Sequence, residues 1–325
     1  MPGVVDLHAH VVLEDAFGAA GTYGPFHGDD EKGREFFRVG DYTMKPIPYR
    51  DSVFVDVDLR LEAMASLGID RQLLSPNPLT FFGRIEPTPA AEFARATNDA
   101  MADVVAAHPD RLLGAAQVAL QDPDAACAEL ERAVTKLGLV AAYIGTDYAF
   151  SLDDSRLDDF YGQAIALDVP IFVHGVTNDG VGPPSDDRLR RYGLDLIVGY
   201  TYEETLAAAA LVLGGVFDRH PGLDVCISHG GGAIAFLAQR FDSMAAFLGR
   251  KSDFAADLKN LWFDSHLEPG PALDVVIDTV GADRMVYGTN FGGWDTPTAI
   301  TEFDVSLTPN AERLLRLHDT GGDPA

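Results

Sequence analysis

Cysteine is nearly absent from this chain. Cys127 and Cys226 are the only two, and they do not form a CxxC pair. A disulfide framework and a cysteine-built metal cluster are therefore excluded, and both thiols read as reduced packing residues of a cytoplasmic protein. Basic charge is also scarce. Twenty-four Lys and Arg face fifty Asp and Glu, a formal net charge of -26. Nucleic-acid partners require a basic footprint, and none is visible. No uninterrupted apolar run approaches the roughly 20 residues that cross a bilayer, and no basic start followed by an apolar run marks a signal peptide. No GxGxxG follows the first apolar run, which removes the usual dinucleotide-binding fingerprint.

What is present is rhythm. Eight short apolar runs read as buried strands: Val4–Leu7, Gln72–Ser75, Leu113–Val118, Leu139–Ile144, Pro170–Val173, Asp224–Ser228, Leu261–Phe263 and Met285–Tyr287. Most are separated by alanine-rich amphipathic stretches of helical length, such as "PDAACAELERAVTKLG". Short buried strands alternating with helices imply a parallel sheet. Eight repeats in 325 residues favour a closed (β/α)8 TIM barrel, an α/β fold, as a single domain over 1–325. Two stretches break the rhythm. Residues 11–56 are rich in Gly, Pro, Asp and aromatics and read as a lid or subunit contact, and a second loop covers Val176–Asp187. Both fall after strands, on the barrel face that hosts chemistry.

The histidines cluster at strand ends. His8 and His10 close the first strand in "DLHAH", His174 ends the fifth, and His229 ends the sixth. Residues two apart on a strand point the same way, so His8 and His10 can reach one ion. In a closed barrel the C-terminal ends converge, and three imidazoles suit Zn²⁺ while leaving a coordination position open. His266, in "WFDSHLEP", follows the seventh strand and is a candidate to line the mouth. His108 and His220 belong to the opposite face, and His27 and His318 read as surface residues.

Segments across nearly the whole chain, "DLHAH", "LEAMASLGIDRQLLSPNP", "VPIFVHG", "HPGLDVCISHGGG" and "VGADRMVYGTN" among them, resemble the amidohydrolase superfamily, in particular the branch of aminocarboxymuconate-semialdehyde decarboxylase. The resemblance implies a metal-dependent (β/α)8 barrel, often with Zn²⁺ and frequently a homodimer. It makes His8, His10 and His174 metal ligands and His229 the acid/base. It also implies a carboxylate after the eighth strand, where this chain has Gly288-Thr289-Asn290. An amide is no base and is a weaker zinc ligand. Four readings stand: Asn290 meets the metal or its water through its carbonyl; Asp295 swings in; the metal has been lost; or Asn290 replaces a natural aspartate.

Aromatic and basic residues surround the expected mouth: Phe26, Tyr49, Arg50, Phe81, Phe82, Arg84, Phe291 and Trp294. An apolar wall with a guanidinium suits a flat carboxylate, with Arg50 and Arg84 as anchors and Phe82, His266 and Trp294 as further contacts. The implied function is non-oxidative decarboxylation of a small unsaturated or aromatic acid. The alternatives are metal-dependent hydrolysis of a C–N, C–O or activated C–C bond, and ligand binding without catalysis.

Overall fold

The computed structural model describes residues 3–44, 49–176, 187–249, 253–267, 269–293 and 295–317. Strand β1 (Val4–Val11) leads into an insertion carrying β2 (Phe26–Asp29), β3 (Glu35–Val39) and β4 (Tyr42–Met44). Strands and helices then alternate: α1 (Val57–Leu67), β5 (Ile69–Pro76), α2 (Pro87–Ala107), β6 (Leu112–Gln117), α3 (Pro123–Leu137), β7 (Ala141–Gly145), α4 (Asp158–Ala166) and β8 (Ile171–His174). The second half runs α5 (Tyr200–Leu213), α6 (Val216–Arg219), β9 (Val225–Ile227), α7 (Ile234–Phe247), α8 (Phe254–Asp257), β10 (Leu261–Asp264), α9 (Pro271–Val280), β11 (Met285–Val286), α10 (Glu302–Ser306) and α11 (Thr308–Leu314). The sheet order is β1-β5-β6-β7-β8-β9-β10-β11, all parallel. It closes on itself where Leu7 N donates to Tyr287 O at 2.9 Å and Phe291 N to His8 O at 3.1 Å. This is the (β/α)8 barrel expected from the strand rhythm, and all eight predicted strands are found with ends shifted by a few residues.

Local chemistry explains the helix ends. In α3, Asp122 caps Ala125 N, Pro123 occupies the first turn, and Gly138 closes the helix at φ 71°. Inside the barrel, Val5, Leu7, Leu73, Ala115, Tyr143, Phe172 and Trp262 fill one core, with Leu314 of α11 packed among them. A second core lies between strands and helices. The segment Asp195–Leu213 is continuously helical and, by length and composition, apolar enough to cross a membrane. The expectation of no uninterrupted apolar run of that length is unaffected, because acidic residues break this one. Asp195, Glu203 and Glu204 interrupt the apolar run in sequence, yet α5 buries Ala207, Ala208 and Leu211 in the barrel wall.

The insertion forms a three-stranded antiparallel sheet, β2-β3-β4. Phe37, Val39 and Tyr49 pack with Leu79, Phe82, Phe93 and Ala119, which lie beyond the ends of β5 and β6 or on α2. The insertion therefore sits at the strand C-terminal face. His27, expected at the surface, has a side chain only 7% exposed, beside Glu35 and Tyr49.

Strand β1 is irregular where it matters. Its pairing with β5 shifts register between Asp6 and Ala9. Val5 and Leu7 face the barrel interior, whereas Ala9 and Val11 join the outer core. The extra residue reverses the alternation, so that His8 and His10 turn inward above Leu7. Asp6 pins this bulge. Its carboxylate accepts from His8 N (3.1 Å), Gln72 Nε2 (2.8 Å), Thr289 N (3.1 Å) and Thr289 Oγ1 (2.7 Å). Replacing it with Asn keeps the shape but sets an NH2 against at least one of these donors. Asp6→Asn should lower the unfolding free energy by about 1–3 kcal/mol, read by urea denaturation. A loss under about 0.5 kcal/mol would remove Asp6 as the pin.

Candidate metal centre and active site

Four imidazoles meet at the mouth. His8 lies 4.9 Å between ring centroids from both His10 and His229 and 5.1 Å from His174. The Nε2 atoms of His8 and His10 are 3.1 Å apart, and those of His10 and His174 are 3.3 Å apart. Each of these three rings is held from behind. His8 Nδ1 donates to Asp264 Oδ2 (2.7 Å), His10 Nδ1 to Pro76 O (3.1 Å) and His174 Nδ1 to Gly175 O (2.7 Å). Carboxylate and carbonyl oxygens only accept, so the proton sits on Nδ1 and Nε2 presents a bare lone pair. Nitrogen ligands about 2.1 Å from one ion lie about 3.4 Å from each other. The spacing therefore fits a shared divalent metal, and without a shared cation the lone pairs would repel.

Burial keeps this triad neutral. Desolvation, then repulsion from neighbouring imidazoles, pushes His10 down to about 3 and holds His8 and His174 well below the ordinary histidine value. His229 is different. Its Nδ1 faces Glu204 Oε1 at 2.7 Å. Burial opposes its charge, but the attraction and hydrogen bond of Glu204 outweigh it and lift the ring to about 9. His8, His174 and His229 also bring ligand atoms within 4.8 Å of one another. A ring kept protonated is a poor ligand, and His10 Nε2 lies 3.1 and 3.3 Å from the Nε2 atoms of His8 and His174.

Backbone strain marks both ends of this arrangement. His229 and Asn290 each have φ 49°, a left-handed conformation uncommon outside glycine. At His229 the following glycines make it possible: a Cβ on Gly232 would lie 2.0 Å from Thr201 O. Asn290 is thus a turn residue, and its side chain is engaged too. Asn290 Nδ2 donates to Asp295 Oδ1 at 2.7 Å. His266 sits 5.1 Å from His229 and 5.5 Å from His8 between centroids, with Asp295 Oδ2 3.7 Å from its Nε2.

The expected aromatic and arginine contacts divide. Phe81 approaches His174 at 6.5 Å and stacks on Tyr143. Phe82 does not face the histidines; at φ 52° it turns away into the insertion's core, edge-on to Phe93. Arg50 pairs with Asp29 and Glu35 of the outer sheet, so its charge is already taken. Tyr49 stacks between Phe37 and Phe54, Phe26 lies under Arg38, and Phe291 lies under Arg60, so these aromatics serve packing. Arg84 is held by Asp147 beyond the end of β7. Trp294, His318 and most of the second loop lie outside the described residues. Sequence reasoning missed Asp264, Glu204 and Tyr200. Asp264 ends a barrel strand, a position that could have flagged it. Glu204 and Tyr200 carry no comparable signal, although Tyr200 lies 5.3 Å from His174.

Residues 5–316 match the amidohydrolase family. The chain belongs to that family. This amidohydrolase is 28% identical over 308 residues to the 2-amino-3-carboxymuconate-6-semialdehyde decarboxylase of Dictyostelium discoideum, covering 88% of this chain and 81% of the relative. It is 29% identical over 345 residues to the gamma-resorcylate decarboxylase of Rhizobium sp., covering 96% and 99%. Its fold superposes with TM-score 0.75 and 25% identity on a dihydroxybenzoic acid decarboxylase from Polaromonas sp., solved with bound manganese and the inhibitor 2-nitroresorcinol, covering 98% of each chain. The centre of this amidohydrolase is accordingly one for a divalent metal.

The Glu204 pairing predicts a pH effect. A raised affinity keeps His229 protonated until pH rises through its own pKa, and an activity that needs the proton is lost above that point. Glu204→Gln removes the attracting charge, so the alkaline limb of kcat/KM should move to lower pH. An unmoved limb would exclude Glu204 from setting the His229 proton.

Proposed function

We propose that this amidohydrolase is a metal-dependent carboxy-lyase that decarboxylates a small aromatic or unsaturated carboxylic acid. One observation carries the reading: a histidine held protonated by Glu204 stands beside a neutral imidazole triad. Proton delivery to carbon needs such a donor, whereas hydrolysis calls for a base toward water. The names of the relatives point the same way. His8, His10 and His174 would hold the ion, with the carbonyl oxygen of Asn290 as the remaining protein group. Zn²⁺ is the ion this imidazole set favours. When bound, the ion would act as a Lewis acid toward developing negative charge on the substrate.

The protein's own groups do the rest. Phe81 and Tyr200 flank His174 and offer a flat apolar wall for a planar ring. Arg84 exchanges Asp147 for the substrate carboxylate only if that pair opens, so recognition there is a competition between two carboxylates. As the bond from ring carbon to carboxylate breaks, its electron pair stays on carbon, CO2 leaves, and the Nε2 proton of His229 is transferred to that carbon. Glu204 stabilises the cation before transfer and orients Nε2. The insertion at 11–56 would cover the mouth as a lid and exclude water during the transfer.

Metal-loaded protein incubated with 2,6-dihydroxybenzoate in D2O should release CO2 and return a ring-deuterated product. Oxygen from water entering the product without CO2 would sink the decarboxylase reading. His229→Asn should lower kcat about 10²–10⁴-fold with metal content unchanged, and a loss below about threefold would remove His229 from the mechanism. His174→Ala should instead abolish metal retention in elemental analysis, which also tells zinc from manganese.

A homodimer and a cytoplasmic home complete the proposal. Both cysteines are free. Tyr202 and Leu206 of α5 and Phe236 and Phe247 of α7 are exposed, Phe247 by 83%. Such large apolar side chains on adjacent barrel helices suit a self-complementary contact. Phe247→Asp should shift the mass seen by light scattering from dimer to monomer. A wild-type monomer at micromolar concentration would overturn the dimer.

A further inference from the structure

The carboxylate missing from the end of the last strand returns five residues later. After Asn290 the chain folds back on itself: Gly293 N donates to Asn290 O at 2.6 Å, and Thr296 Oγ1 reaches Asn290 O and Gly293 O at 3.1 and 3.0 Å. Gly292, at φ 88°, permits the reversal, and a Cβ there would lie 2.9 Å from the Phe54 ring. The tight loop brings Asp295 to Asn290 Nδ2 at 2.7 Å, so the amide holds the carboxylate in place.

Asp295 in turn faces His266 twice. The Nε2 of His266 lies 3.4 Å from the backbone oxygen of Asp295 and 3.7 Å from its Oδ2. Both oxygens accept, so Nε2 bears the proton and the neutral ring leaves Nδ1 as an acceptor. That Nδ1 is buried and has no hydrogen-bond partner among the described residues. The ring sits against His8 and His229, inside the reaction site. Buried polar atoms are paired in nearly all folded proteins. A ligand in the mouth that reached this atom with a donor would satisfy it. An ionised carboxylate has none, but a ring hydroxyl has one.

We propose that Asp295 and His266 form a dyad that reads a ring hydroxyl of the substrate, with His266 Nδ1 accepting its hydrogen bond and Asn290 positioning Asp295. The substrate half of this proposal rests on the aromatic-acid reading above. Asp295 is a positioning residue and acts through His266. Asn290 then has a role that an aspartate would spoil, because two carboxylates would meet where one hydrogen bond stands now.

Binding separates the two halves. Kd values for benzoate and 2-hydroxybenzoate are measured by calorimetry on the metal-loaded protein. Wild type should favour the hydroxylated probe about tenfold, the value of one well-made buried hydrogen bond. Asp295→Ala and His266→Phe should each cut that preference below threefold by weakening 2-hydroxybenzoate alone, with the Kd of benzoate within threefold of wild type. A preference intact in both variants would overturn the dyad. In ¹⁵N-histidine NMR spectra the His266 ring should carry its proton on Nε2 in wild type and lose that preference in Asp295→Ala. A wild-type proton on Nδ1 would overturn the pairing with no ligand present. Wild type that binds neither probe would overturn the aromatic-acid reading and the hydroxyl assignment with it, and the tautomer would then decide the Asp295–His266 pairing on its own. Asn290→Asp should lose the hydroxyl preference, and Asn290→Asp combined with Asp295→Asn should regain thermal stability without regaining it. A double variant with the full preference would reduce Asp295 to a loop clamp.

Discussion

One buried carboxylate organises the mouth. Asp6 gathers four hydrogen bonds from three segments: the bulge of β1, the side chain of Gln72 on β5, and Thr289 beyond β11. These are the first, second and eighth strands of the barrel, so the carboxylate sits on the closing seam. Burial raises its proton affinity to about 6, the measure of how much desolvation opposes the charge. Arg60 extends the network. Fully buried, it donates to Gln72 Oε1 at 2.6 Å and to His10 O at 2.5 Å, and packs its guanidinium on Phe291. His8 and His10 on β1, and Asn290 after β11, take their direction from this seam. The histidines point inward only while the bulge is held.

Above the seam the site divides its charge by what lies behind each ring. Backbone carbonyls behind His10 and His174 fix a tautomer without adding charge, and those rings stay neutral. Asp264 backs His8 but also accepts from Gly230 N and His266 N, which spreads its charge over three contacts. Among the described residues, Glu204 has only His229 and Gly175 N to satisfy, and its Oε2 has no partner. A nearly dedicated carboxylate in a dry site holds its proton partner strongly. Four chemically identical side chains thus differ in proton affinity, and the difference comes from their neighbours. The same logic governs the loop after β11, where an amide beside Asp295 is compatible with its charge and a second carboxylate would not be.

Much of this was legible in the residues. The strand rhythm gave the barrel because parallel strands buried on both faces must be short and apolar, and eight of them close. His8, His10, His174 and His229 were legible as a group because each ends a strand, and the strand ends of a barrel share one mouth. Phe81 and Phe82 show where such reading fails. Adjacent residues on a loop carry no period, so nothing in "TFFG" says which ring meets the site; a left-handed turn at Phe82 decides it. Arg50 reads as a free cation until the outer sheet supplies Asp29 and Glu35.

The sequence by itself determined the element order, the closed barrel and the meeting of four histidines, since those follow from local periodicity and from chain topology. Tertiary structure alone decided the rest. The bulge that aims His8 and His10 exists only in the pairing of β1 with β5. The proton on His229 depends on Glu204, 25 residues away on a helix, and the tautomer of His8 on Asp264, 256 residues away. Protonation and orientation are set by desolvation and by contacts between distant segments. Neither exists until the chain has folded and water has left the site.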